Sequence, residues 1–184
     1  GTGNEAAIVS IGAVKFDPMG SGIDDAFYVG VSLDSSVAFG LKIDPGTVLW
    51  WMDKERDTAR KALLASDFVD LPTALEGLAM WIGESPLPVW GNGATFDNVI
   101  LRNAYQKTGL DCPWPFWQDR CYRTLKNLAP DIDRPELGTL HQALNDATVQ
   151  AQHMQQIVKF LGLKRSEEHT SELQSLAYLV CRLL

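Results

Sequence analysis

The stretch AAIVSIGAVKF, residues Ala6 to Phe16, is apolar on both faces of an extended chain. A strand with one wet face alternates apolar and polar residues, because successive side chains point to opposite sides. A run without that alternation has to be covered above and below, as strands inside an α/β sheet are. The rest of the chain must therefore supply helices for two faces, and its pattern does so. DPMGSG (Asp17 to Gly22) gives a reversal, and DAFYVGVSL (Asp25 to Leu33) reads as a second strand forming a hairpin with the first. Pro45 to Glu84 reads as helices: TVLWWMDK with Thr47 as its cap, RDTARKALL, and LPTALEGLAMWIGE with Leu75, Leu78, Ala79 and Ile82 on one stripe. LPVWGNG (Leu87 to Gly93) is a short strand running into a glycine turn, ATFDNVILRNAYQKTG a helix that stops at Gly109, and FWQDRCY an edge strand. TLHQALNDATVQAQHMQQIVKFLG closes the pattern as a helix, with apolar residues at 140, 144, 147, 151, 154, 158 and 161 on the core side and a stop at Gly162. This order predicts an α/β fold with a mixed sheet.

With 184 residues, 46% hydrophobic and 21% charged, there is material for one well-buried core and one domain. No apolar run reaches the roughly 18 residues of a membrane span, and no basic-then-apolar leader opens the chain, so the expected location is cytoplasmic, with no membrane partner. Cys112, Cys121 and Cys181 have neither metal-ligand spacing nor an even count, which fits a reducing compartment. A net charge of −7 argues against a protein that coats a phosphate backbone. It argues less against an enzyme that grips one strand end through metal-binding carboxylates.

Both ends carry expectations. The chain opens Gly1-Thr2-Gly3 and reaches its first strand almost at once, which leads us to expect a segment upstream of Gly1. RSEEHTSELQS (Arg165 to Ser175) matches, residue for residue, the translation of a widely used sequencing-adapter oligonucleotide, and LAYLVCRLL after it would be read-through. The domain is therefore expected to span 1–164, with 165–184 a non-native tail.

Two stretches carry candidate chemistry. WGNGATFDN (Trp90 to Asn98) is a strand end, a glycine turn and then Asp97 in the first turn of a helix, where ligands of open α/β sheets gather. Alone, Asp97 needs no role beyond complementing the helix dipole. GNGATF is not a dinucleotide fingerprint, since it lacks the third glycine and the later acidic residue. The second stretch is HQALND, with His141 five positions ahead of Asp146. On a regular helix that spacing is about 140° around and about 7.5 Å along the axis, so the two cannot ligate one ion jointly. It does allow Asp146 to ligate from within the helix while His141, at the looser start, reaches a water. On its own the pair also fits a solvated helix edge.

Taken together, AAIVSIGAVKFDP, TVLWWMDK, VWGNGATFDNVILRNAY, PWPFWQDRCYRTL and HQALNDA resemble the DEDDh superfamily of 3′-5′ exonucleases, and most closely its small RNase T-like group of bacterial and phage exoribonucleases. The likeness covers nearly all of residues 1–164. It implies an RNase H-like fold with a mixed five-stranded sheet flanked by helices. It also implies two divalent ions, Mg²⁺ or Mn²⁺, held by four acidic residues, and in-line attack of an activated water on the last phosphodiester. Residue by residue, Asp97 matches the second-motif carboxylate, Asp146 the third-motif metal ligand and His141 the general base, whose ordinary pKa near 6.5 suits that task. The partner implied is a nucleic-acid 3′ end, RNA favoured over DNA, and a homodimer is a further expectation.

The chain departs from the group at one point. The first motif, Asp-x-Glu on the central strand, is not found; Glu5, Asp17 and Asp25 do not fit it. With two of four carboxylates lacking, the chain as given is expected to be inactive, its central strand missing. Around the site, Phe96 is a candidate wedge, and Asn92 and Asn98 are candidates to meet the terminal sugar. Trp50, Trp51, Trp114, Phe116 and Trp117 are aromatics able to stack on bases or to fill the core. Arg120, Arg123 and Lys126 form a basic side, and His153 reads as surface. The alternatives are a catalytically dead RNase H-like module that binds nucleic acid or a partner, and, more distantly, a nucleotide binder using the GNG turn.

Overall fold

Strand β1 (Ser10–Phe16) is buried along its length except at Lys15. Lys15 lies across the Trp81 ring, its ammonium 4.7 Å from the centroid, so a charged residue is accommodated at the edge of an apolar strand. The computed structural model describes residues 1, 3–84, 87–136, 138, 141–163 and, by their backbone, 178–183. As its sequence requires, β1 is covered twice. Ile11 and Ala13 pack into one apolar cluster, and Val14 and Phe16 into another on the opposite face.

The described sheet has six strands in the order β3-β2-β1-β6-β4-β5. β2 (Asp25–Val31) is antiparallel to β1, and the short β3 (Phe68–Val69) runs parallel to β2. β4 (Val89–Gly91) is parallel to β5 (Asp119–Cys121), which forms the sheet edge, as expected for FWQDRCY. β6 (Tyr178–Leu183) stands between β1 and β4, antiparallel to the first and parallel to the second. Five strands with the central one absent were expected; the described sheet has six, and its central place is taken by β6, from the segment that the sequence places outside the domain.

Local chemistry explains the helices. α1 (Leu33–Ala38), not foreseen, begins because the Ser32 hydroxyl accepts the Ser35 N–H at 3.2 Å, and this ends β2 at Val31 instead of Leu33. α2 (Pro45–Met52) is capped by Asp44, whose carboxylate accepts both the N–H and the hydroxyl of Thr47 at 2.7 and 2.8 Å. The cap expected at Thr47 thus lies three residues earlier, with Pro45 in the first turn where its missing N–H costs nothing. α3 (Asp57–Leu64) follows, then α4 (Leu71–Ile82), capped by Asp70, with Leu75, Leu78 and Ile82 buried and Ala79 half-buried. α5 (Asp97–Thr108) ends at Gly109, and α6 (Tyr122–Asn127) leads towards α7 (Ala143–Phe160). On α7, residues 147, 151, 154 and 158 are buried and 144 is half-buried; Leu140 lies outside the described residues.

One cluster joins α4 and α5 to Ile11 and Ala13; the other joins α6 and α7 to Val14 and Phe16. α2 differs from both groups. None of its residues is buried, and an apolar cavity of about 290 Å³ lined by Val9, Val48, Trp51, Met52, Leu63 and Leu64 lies against it.

Candidate active site

Asp97 opens α5 directly after β4 and its turn. It is fully buried, and its carboxylate accepts the Asn92 N–H at 2.6 Å, so the turn folds back onto the helix start. That seating needs Gly91, where a Cβ would come 2.8 Å from Asn98 Oδ1 and 3.3 Å from Asp97 Cβ. Asn98 is buried, its amide donating to Val89 O at 2.8 Å and to Asp119 Oδ1 at 3.1 Å. The structure thus commits Asn98 to joining α5 with β4 and β5. The Asn92 side chain accepts from Arg123 Nε at 3.2 Å, and Phe96, half-buried, packs on the α4–α5 cluster.

Asp146 sits in the first turn of α7, 6% exposed, with the Arg134 guanidinium 3.3 Å from Oδ1. The start of α7 lies directly on β1. A Cβ on Gly12 would fall 2.3 Å from Leu144 N and 2.4 Å from Ala143 C. His141 precedes the helix at φ +64°, a left-handed conformation that non-glycine residues hold only when their surroundings fix it. One such contact is Trp50, whose ring meets His141 edge-on with centroids 4.9 Å apart, and Arg56 lies over Trp50 at 4.6 Å. Asp146 is thus inside the helix and His141 outside it.

Asp97 and Asp146 arrive on helices that cover opposite faces of the sheet. Among the described residues no three of His, Cys, Asp and Glu come together as a metal would require. This donor set does not fit a two-ion centre, which needs more oxygen ligands than one carboxylate from each side.

Several contacts have no precursor in the sequence reading. Asp119 gathers Arg102 at 2.9 and 3.0 Å, Trp114 Nε1 at 2.8 Å and the Asn98 amide. Trp114 is core, 1% exposed. Arg134 comes from an irregular segment, where periodicity gives no signal. His153, expected at the surface, is fully buried. Its Nε2 faces the Ile132 carbonyl at 2.9 Å, so that nitrogen carries the proton, and Nδ1 accepts from the Tyr122 hydroxyl at 2.7 Å. A neutral ring satisfies both partners.

Burial, with the Lys126 and Arg134 charges added, holds the His153 pKa below its ordinary 6.5, against the opposing pull of the Ile132 hydrogen bond and Asp133. The unfolded chain therefore binds the proton first as pH falls. Stability is full above about 6.5 and declines below it, with a slope of at most about 1.4 kcal/mol per pH unit from this group. Denaturant midpoints measured from about pH 7 to pH 5 should fall less steeply in His153→Phe than in the parent. Equal slopes would remove His153 as the source.

A family model described as the 3′-5′ exoribonuclease Rv2179c-like domain matches residues 1–158, a span that holds β1 to β5, Asp97, His141 and Asp146. Neither a curated protein nor a solved structure matches the chain. A match across most of the sequence, on an α/β frame with helices on both faces, is sufficient to conclude that the chain belongs to the Rv2179c-like 3′-5′ exoribonuclease domain family.

Proposed function

We propose that domains of this family hydrolyse the last phosphodiester of a nucleic-acid 3′ end, RNA in preference to DNA, and that this chain carries the general base of that reaction, His141, but only two, Asp97 and Asp146, of the four carboxylates that would hold two divalent ions, Mg²⁺ or Mn²⁺. The observation that carries the reading is the family match over residues 1–158. The placement of both carboxylates in first helical turns, with His141 just outside α7, supports it. His141 would take the proton of the attacking water, whose oxygen bonds to phosphorus as the P–O3′ bond breaks; the terminal nucleoside 5′-monophosphate is released and the O3′ of the shortened strand takes up a proton from solvent. The ions would supply charge stabilisation on the phosphoryl oxygens.

The described donor set falls short of such a centre, so the chain as given is proposed to bind a 3′ end without turning it over. That second reading, a binding module on a nuclease frame, has its own support in the Arg134–Asp146 pair, which places a protein cation against the carboxylate an ion would need. The test uses 5′-labelled RNA and DNA oligonucleotides with Mg²⁺ or Mn²⁺. The chain is compared with its His141→Ala variant. Binding of the 3′ end without shortening by either is the expected result, and shortening by the chain would overturn the proposed shortfall; a loss of that shortening of about 10²–10⁴-fold in His141→Ala would then mark the general base.

A further inference from the structure

We propose that the sheet edge from Phe116 to Arg123 is a track for single-stranded nucleic acid, holding the nucleotides upstream of the 3′ end. The proposal rests on the exonuclease reading in one respect: it takes the strand whose end that site would receive.

Phe116 and Trp117 are 69% and 65% exposed and stand edge to face, centroids 5.2 Å apart, at the start of the edge strand β5. Neither is held by the core, unlike Trp114 two residues earlier. Two large rings side by side in water offer π-faces to any base. The strand beyond them sorts its charges by its pleat. Asp119 points to the α5 side, where Arg102, Trp114 and Asn98 occupy it. Arg120 is exposed and pairs in register with Trp90 of β4. Its guanidinium donates to the carbonyls of Trp117 and Asp119, at 2.7 and 3.0 Å.

From Cys112 to Pro130 the only acidic residue is Asp119, while Arg120, Arg123 and Lys126 are basic and exposed. Among the described residues none of those three pairs with a carboxylate. In a chain of net charge −7 this edge presents cations and aromatic rings together, the combination that follows a single strand: phosphates on the arginines, bases on the rings. It also leads to the site, since Arg123 bonds Asn92 and the Asn92 N–H bonds Asp97. A second copy of this chain is a poorer occupant, because a two-fold contact through this edge would set like cations against one another.

The experiment uses the whole chain and a 5′-fluorescein oligouridylate in EDTA, read by fluorescence anisotropy so that cleavage plays no part. Phe116→Ala/Trp117→Ala should raise Kd about tenfold or more. Arg120→Ala/Arg123→Ala should flatten the salt dependence by about 1.4 in log–log slope, two phosphate contacts on a single strand. Met80→Ala, which removes a still more exposed apolar side chain from α4, should leave Kd unchanged. All four substituted residues of the track are exposed, and thermal melts confirm that the variants fold. An unchanged Kd in the aromatic variant, no binding by the parent chain, or equal binding of blunt duplex would overturn the track. So would a dimer, seen by sedimentation, that the aromatic variant dissociates. Failure of the reading proposed above shows elsewhere, as 3′ shortening by the chain, and leaves these binding results standing.

Discussion

A chain ended after Leu163 should lose its cooperative unfolding transition. β6 is the shared partner of β1 and β4, pairing residues 11–16 on one side and 89–90 on the other. Its removal exposes two strand edges in the middle of the sheet, and no other described strand bridges them. Each lost backbone hydrogen bond contributes about 1 kcal/mol net, and each buried group left without a partner costs about 1–3 kcal/mol. Set against a total stability of about 5–15 kcal/mol for a domain, such a loss is enough to leave a collapsed or aggregating chain. Urea denaturation followed by tryptophan fluorescence and by far-UV circular dichroism checks this. A sharp, coincident transition with an unchanged midpoint would show that β6 adds nothing to the sheet.

The second large effect is expected from a single methyl group. In Gly12→Ala the new Cβ would lie 2.3 Å from Leu144 N, 2.4 Å from Ala143 C and 2.7 Å from Ala143 O. These are backbone atoms of α7, so no rotamer change can relieve the clash, and the helix has to lift from the strand. Overpacking a core ordinarily costs about 1–3 kcal/mol, and a backbone collision on this scale belongs at or above the upper end. Equilibrium denaturation should therefore show a loss of about 3 kcal/mol. Asp146 and His141 ride on the same segment, so oligonucleotide binding at the site should weaken as well. A variant with parent stability would mean that α7 is not seated on Gly12.

What could be read from the sequence, and what could not, divides by the distance over which the physics acts. β1 was legible because its two apolar faces are a property of consecutive residues, and Asp97 because a glycine turn before a helix start is local. α1 was too short to show a period. Asp44 and Thr47 are both competent caps, and only the helix start decides between them. His153 was misplaced because α7 is covered on more than one stripe: α6 and the segment around Ile132 bury the side that a single amphipathic face would leave wet. The Arg134–Asp146 pair, the Trp50–His141 contact and the placement of β6 join residues whose spacing follows no repeat. Nothing in a window of sequence announces them.

α2 has a further consequence. A helix with no buried residue, resting against an apolar cavity, is held by few of the contacts that give cooperative units their stability. Its amides should exchange with solvent through a local opening well below the free energy of global unfolding. Trp50 rides on that helix, so each opening also takes the ring away from His141. The histidine would then be without one of the contacts that fix its left-handed backbone, and the site would alternate between a braced and an unbraced state at the rate at which α2 breathes.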